Sequence, residues 1–297
     1  MASTLAHNYV IISPVRDEEE YLERTIETVL HQTVRPSRWV IVDDGSRDQT
    51  PQILQRYGEE YPWITSLRIE RSGERQLGLT EIQAFAAGYK LIEDTPFDYV
   101  VKLDCDLELP QDYFERMLSR FDSDGELGIA SGTYLEAKDG KWMAVTMPEY
   151  HAAGASKILR AECFRQIGGF IPQRGWDTVD EIRAQMEGWK SCHFTDITFR
   201  HLRTEGSAAG PLETNRMHGQ IYYLTGGNTF FLMLKVLHRC WHGRPFVLGG
   251  LMMLVGFFGP FLSGIPREVT DEEAGFYRHM LNRRVVERMN RILSWTT

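Results

Sequence analysis

Three apolar runs in the first third of the chain stop abruptly at acidic residues, and this pattern restricts the folds open to it. Tyr9-Val10-Ile11-Ile12-Ser13 is closed by Pro14 and followed by Asp17 and Glu18. Trp39-Val40-Ile41-Val42 ends in Asp43-Asp44-Gly45-Ser46, and Phe97-Asp98-Tyr99-Val100-Val101-Lys102-Leu103 ends in Asp104-Cys105-Asp106. Short apolar runs bounded by turn residues read as buried strands. Between them, Tyr21, Ile26, Val29 and Leu30 have helical spacing behind the acidic opening Asp17-Glu18-Glu19-Glu20. Further helices are expected from about Pro51 to Tyr61 and over Leu79–Glu93, with a strand at Ser66–Ile69. This alternation predicts an α/β domain with a mostly parallel, Rossmann-like, doubly wound sheet. Ligands of such sheets bind outside the carboxyl ends of the strands, where the three acidic groups are expected to share one crevice.

Strand geometry sends Asp104 and Asp106 to one face and Cys105 to the other. Two carboxylates so placed repel unless a cation lies between them or one is protonated. Mg²⁺ or Mn²⁺ carrying a phosphate ligand suits such a pair, because these ions prefer carboxylate oxygens. Asp43 at its strand end is placed to accept hydrogen bonds from a base or ribose, with Gly45 letting the backbone approach, although Asp-Asp-Gly-Ser is also an ordinary Asx turn. Neither a dinucleotide-binding G-x-G-x-x-G nor a P-loop is present.

The net charge of −8 argues against a nucleic-acid partner. Residues 235–297 hold nine Lys/Arg against five Asp/Glu, so the acidic excess belongs to the preceding 234 residues. Four scattered cysteines without metal-ligand spacing, and no export signal at the N-terminus, predict a reduced, cytoplasmic setting.

Ser13-Pro14-Val15-Arg16-Asp17-Glu18, Val42-Asp43-Asp44-Gly45-Ser46-Arg47-Asp48-Gln49-Thr50 and Leu103-Asp104-Cys105-Asp106 resemble, in order and spacing, the motifs of family 2 glycosyltransferases. The similarity covers roughly residues 8–210 and implies an inverting enzyme of GT-A fold. It implies nucleotide contacts from Glu18 and Asp43, beside Pro14, Arg16, Asp44 and Arg75, with Asp104 and Asp106 holding a metal-bound diphosphate. Asp17 stands where the family usually has Asn. Ile167-Gly168-Gly169-Phe170 is similar to the family's G-G-F turn. Aligning the common E-D-x-D-L-x-x-R-L-x-x-x-G pattern on Arg183 and Gly188 places the catalytic base on Asp177, with Trp176 in place of Glu. Asp180 is the second candidate base, and acids there also suit a helix N-terminus. His201 is expected to complete the metal shell or contact the diphosphate, with Arg200 and Arg203 nearby and Arg71 a weaker candidate for the nucleotide.

Residues 245–266 carry no charge between Arg244 and Arg267 and are long enough for a bilayer span of about 20 residues. Their glycines and Pro260 favour a re-entrant or interfacial hairpin, with a buried helical hairpin as the alternative. Arg278, Arg283, Arg284, Arg288 and Arg291 follow on a helical pattern suited to an anionic leaflet. The expected organisation is a GT-A catalytic domain over 1–215 and a membrane-associating helical region over 216–297. The implied reaction moves a sugar from a UDP-, GDP- or dTDP-linked donor to a saccharide or lipid-linked acceptor, at the inner face of the cell membrane. Two rivals are a non-catalytic nucleotide-sugar-binding or membrane-assembly relative and a sugar-nucleotide pyrophosphorylase. The latter should carry a G-x-G-x-R loop where this chain has Pro14-Val15-Arg16-Asp17.

Overall fold

Each of the three acid-tipped runs forms a strand: β1 (Tyr9–Val15), β2 (Arg38–Asp43) and β4 (Tyr99–Leu103), with β3 (Ile64–Arg68) between the last two. They are joined by α1 (Leu22–Leu30), α2 (Thr50–Glu60) and α3 (Thr80–Tyr89). The computed structural model describes residues 7–70, 78–203, 210–242 and 245–294, the side chains of 242 and 287–294 excepted. The chain divides into two compact units, Met1–Thr204 and Glu205–Thr297.

The first unit continues with β5 (Leu107–Glu108), α4 (Tyr113–Ser123), β6 (Leu127–Lys138), β7 (Lys141–Ala144), β8 (Ser156–Arg160), α5 (Ala161–Gln166), α6 (Trp176–Met186) and β9 (Lys190–His201). The strands lie in one sheet ordered β3-β2-β1-β4-β8-β6-β9-β5, with β7 paired to β6. The expected mostly parallel sheet is corrected here, because the sheet is mixed. The β3-β2-β1-β4 half is parallel, as its helical crossovers require. Beyond it β8 runs antiparallel to both β4 and β6, β5 antiparallel to β9, and only β6 and β9 pair in parallel. The alternating pattern that predicted parallel strands ends at Leu103, and the antiparallel pairings come from the chain beyond it. Pro14 does not close β1 either. It pairs with Val42 inside the strand, beyond the last β1–β4 pair at Ile12, where a missing N–H costs no bond to β4.

Alternate residues of the central strands fill two cores, as a sheet covered on both faces demands. Ile11, Ile41 and Val101 pack on one face with Tyr113, Phe114 and Phe121. Val10, Val40 and Val100 pack on the other with Phe85, Phe164 and Trp176.

The second unit consists of α7 (Gly210–Leu224), α8 (Thr229–His242), α9 (Leu248–Leu262) and α10 (Asp271–Ser294). The apolar run does not form the expected hairpin. Its glycines lie in α9, a single helix with Pro260 inside its last turn. They serve close packing instead of reversal: a Cβ on Gly256 would stand 1.8 Å from the Arg216 carbonyl oxygen, and one on Gly219 2.0 Å from that of Met253. The backbones of α7 and α9 therefore touch. Among the described residues, no helix is long and apolar enough to cross a membrane. Gly256→Ala is expected to lower unfolding stability by about 1–3 kcal/mol through overpacking. Gly259→Ala, whose Cβ would meet nothing within 4 Å, should be neutral or slightly stabilising. Urea denaturation of the two variants checks this.

Candidate active site

Asp104, Asp106 and His201 present ligand atoms that all lie within 4.8 Å of one another. The Asp-x-Asp triplet sits just beyond β4 in a bend, and Cys105 turns into the core as alternation predicted. The short β5 brings His201 there, because Leu107 pairs with His201 and the Leu202 N–H donates to the Asp106 carbonyl at 2.8 Å. A two-residue strand thus joins points 95 positions apart in sequence. His201 Nε2 is 3.3 Å from Asp106 Oδ1, an oxygen that is buried and accepts no well-formed hydrogen bond among the described residues. Burial opposes ionisation of Asp106, but the His201 ring holds its carboxyl below the ordinary value. Burial pushes Asp104 up to about 6, against the pull of Lys102 and with help from Glu81 and Asp106. Two carboxylates, one with an orphaned oxygen, and an imidazole fit a hard divalent cation such as Mg²⁺ or Mn²⁺.

The loops after β1 and β2 are sewn together. Asp17 N–H donates to Ser46 Oγ at 3.0 Å, Arg47 N–H to Asp17 Oδ1 at 2.8 Å and Glu18 N–H to Thr50 Oγ1 at 2.9 Å. Asp17 has φ 54°, a left-handed conformation that Asn and Asp tolerate best. That requirement accounts for Asp at a position where Asn is usual. Gly45 has φ 78°, and Asp43 Oδ1 accepts the Ser46 N–H at 2.8 Å, so the Asx turn is present. The other Asp43 oxygen is 2.5 Å from Arg68 Nη1. Sequence reasoning missed Arg68, although it ends the strand beside β2. Pro14, Arg16, Glu18 and Asp44 line one cleft with Asp104 and Asp106, and Thr80 and Glu81 join them from α3. Arg16 lies 3.8 Å from Asp44, and Arg203 pairs with Glu18. Arg200 turns elsewhere, to Glu108 and the Trp142 ring. Arg71, Arg75, Arg244 and the side chains of Arg288 and Arg291 lie outside the described residues.

The two candidate bases occupy different settings on α6. Asp177 is half-buried in the first turn, after Gly175 at φ 87°. Asp180 is fully buried with both oxygens on Lys157 Nζ, at 2.9 and 3.2 Å. The same ammonium donates to the Asp177 carbonyl at 2.9 Å and to Glu181 Oε1 at 3.2 Å, and Glu181 Oε2 meets His151 Nδ1 at 3.0 Å. Burial pushes Asp180 up to about 7, while Lys157 opposes the rise. Burial also disfavours the charged Lys157, yet Asp180 and Glu181 hold its pKa above the ordinary lysine value. Lys102 pairs in register with Lys157 across β4 and β8, and its Nζ is 2.5 Å from Asp104 Oδ1. The Trp176 ring centre lies 5.3 Å from each ammonium. Neither lysine was legible as a site residue: a lone Lys within an apolar strand carries no motif. Lys157→Met leaves Asp180 and Glu181 buried without their cation, so chemical denaturation should show a loss of about 3–5 kcal/mol.

Comparison with known proteins agrees with this geometry. Residues 10–175 match the family model described as glycosyl transferase family 2. The minor teichoic acid biosynthesis protein GgaA of Bacillus subtilis is 36% identical over 81 residues, covering 25% of this chain and 18% of that one. The beta-monoglucosyldiacylglycerol synthase of Synechocystis sp. is 24% identical over 214 residues, covering 64% and 43%. The chain therefore spans less than half the length of these curated relatives. Among solved structures, the Pyrobaculum calidifontis mannosyltransferase PcManGT, in complex with GDP-Man and Mn²⁺, superposes with a TM-score of 0.59 at 15% identity, covering 99% of this chain and 84% of that one. S. aureus TarS 1-349 in complex with UDP-GlcNAc gives 0.54 at 15% identity, covering 91% and 78%. These likenesses establish a GT-A-like α/β fold followed by C-terminal helices. The match over more than half of its length means that the chain belongs to glycosyl transferase family 2.

Proposed function

We infer that the chain is an inverting, metal-dependent glycosyltransferase that moves a sugar from a nucleoside-diphosphate donor to an acceptor hydroxyl in the synthesis of a cell-surface polysaccharide or glycolipid. The observation that carries this reading is the meeting of Asp104, Asp106 and His201 beside the loops after β1 and β2. A divalent cation bound there supplies Lewis-acid stabilisation of charge on the departing diphosphate, a contribution of several kcal/mol. Pro14, Arg16, Glu18 and Asp44 line the place for the nucleotide, with Asp43 and Arg68 at its margin. Solved structures of like fold hold GDP-Man in one case and UDP-GlcNAc in another, which supports a nucleoside-diphosphate sugar as donor without narrowing the choice among UDP, GDP and dTDP.

Asp177 is the general base in this reading. Its half-buried carboxylate remains available to take a proton from the attacking hydroxyl, whereas both oxygens of Asp180 are engaged by Lys157. Lys157 holds the Asp177 carbonyl and fixes the turn that carries the base. Asp177→Asn should reduce transfer at least a hundredfold and leave donor affinity within twofold. Asp106→Asn should abolish metal-dependent release of nucleoside diphosphate. Donor-turnover and calorimetric assays with Mn²⁺ check both, and near-normal turnover in Asp177→Asn would displace the assignment to Asp180.

The second unit supports contact with an anionic membrane surface, where a lipid-linked acceptor would reside. No Asp or Glu lies between Glu213 and Glu268, while Arg216, Lys235, Arg239 and Arg267 do. Phe230, Leu237 and Trp241 of α8 are 62, 60 and 78% exposed, and Leu251 and Val255 of α9 are exposed as well. Apolar side chains beside cations suit an element lying in the headgroup plane. The four free cysteines fit a reducing, cytoplasmic side. The chain should float with phosphatidylglycerol vesicles and not with phosphatidylcholine vesicles, and Leu237→Ser with Trp241→Ser should reduce flotation several-fold. Equal recovery with both lipids would refute an electrostatic membrane contact.

A further inference from the structure

Glu81 belongs to none of the motifs and stands in the cleft with Asp104 and Asp106. Its carboxylate is held from one side. Oε1 accepts the Trp176 indole N–H at 3.3 Å and lies 3.9 Å from the Lys102 ammonium. Oε2 takes no hydrogen bond or ion pair among the described residues, and the side chain keeps 27% of its exposure. Trp176 cannot swing away to release it, because its ring packs against Phe170 at 4.8 Å and against both lysines. Lys102 also grips Asp104. One oxygen of Glu81 is thus held by Trp176 and by the lysine that grips Asp104, and the other is left as an oriented acceptor in the cleft.

We propose that Glu81 is a specificity-determining residue that accepts hydrogen bonds from the hydroxyls of the donor sugar, and that this donor sugar is neutral. The inference rests on the transferase reading above and deepens it. An ionised carboxylate offers only acceptors, and sugar hydroxyls are donors of matching reach. Among the described residues, the cleft carboxylates Glu18, Asp44, Glu81, Asp104 and Asp106 outnumber the cations that reach them, Arg16, Lys102 and Arg203. A divalent cation offsets two of those charges and the donor diphosphate restores them. A sugar bearing its own carboxylate is therefore repelled at Glu81, while a hexose is held.

The test compares wild type, Glu81→Gln and Trp176→Phe by calorimetry with Mn²⁺ and matched ligands. These are UDP, UDP-glucose and UDP-glucuronate, or GDP, GDP-mannose and GDP-mannuronate. Glu81→Gln is expected to bind the free nucleoside diphosphate within twofold of wild type and the neutral sugar nucleotide about tenfold to a hundredfold more weakly. Trp176→Phe, which keeps an aromatic ring but loses the N–H, should shift in the same direction by less. Wild type should prefer the neutral sugar nucleotide to its uronate by tenfold or more, and Glu81→Gln should narrow that gap. If nucleoside diphosphate and sugar nucleotide weaken together in Glu81→Gln, the residue acts through the cation and the proposal fails. It also fails if the two affinities keep their wild-type ratio. A wild-type chain blind to every nucleoside diphosphate sinks the transferase reading itself, a result distinct from either.

Discussion

Two buried lysines side by side impose the strictest constraint on this structure. Lys102 on β4 and Lys157 on β8 are cross-strand partners, almost without solvent, and like charges so placed repel. Each must find its own carboxylates. Lys102 takes Asp104 and Glu81, and Lys157 takes Asp180 and Glu181. Those partners come from the metal bend, from α3 and from α6, so satisfying two ammoniums fixes three functional segments on one face of the sheet. Trp176, with its ring facing both cations, fills the space where water would otherwise screen them. A well-packed apolar pair could give equal stability. The charged pair adds a fixed direction for Asp104, Glu81 and the start of α6.

A similar economy links the loops after β1 and β2. The sequence shows Arg16-Asp17-Glu18 and Asp43-Asp44-Gly45-Ser46 as separate motifs, but each supplies the other's hydrogen-bond partners. Ser46, Asp48 and Thr50 satisfy backbone N–H groups of the first loop, and Asp17 and Glu19 return the service to the second. Several residues that look like ligand contacts therefore maintain loop shape. Asp43 in particular already has both oxygens engaged, by a turn and by Arg68.

Much of the parallel half of the sheet, with its acid-bearing rim, was legible because strand ends and turn chemistry are local signals. Helix placement was legible too: the expected spans match α2 and α3 to within a residue or so, except where α3 stops short at Tyr89. The mixed half was not legible, since the direction of β8 and the insertion of β5 depend on pairings across long stretches of chain. His201 was legible as a metal ligand only through the family resemblance, because β5, two residues long, gave no periodicity to announce the pairing that brings it to the site. The glycines of α9 were misread because the same residues permit a reversal or a close helix contact. Only the partner helix, with Gly219 at the matching point, decides between them. Lys102, Lys157 and Glu81 were missed for a further reason: their meaning lies in what surrounds them.

The touching backbones of α7 and α9 have a bearing on how the second unit could meet a lipid surface. An amphipathic peptide that coils only on arrival gives up its chain freedom at that moment, which weakens adsorption. Here carbonyl groups of one helix rest where a side chain of the other would have to be, so the exposed apolar residues are presented by a scaffold already locked during folding. If such a scaffold met a membrane, adsorption would involve little ordering of the chain, and fewer exposed rings and aliphatic chains would be needed than on a disordered tail.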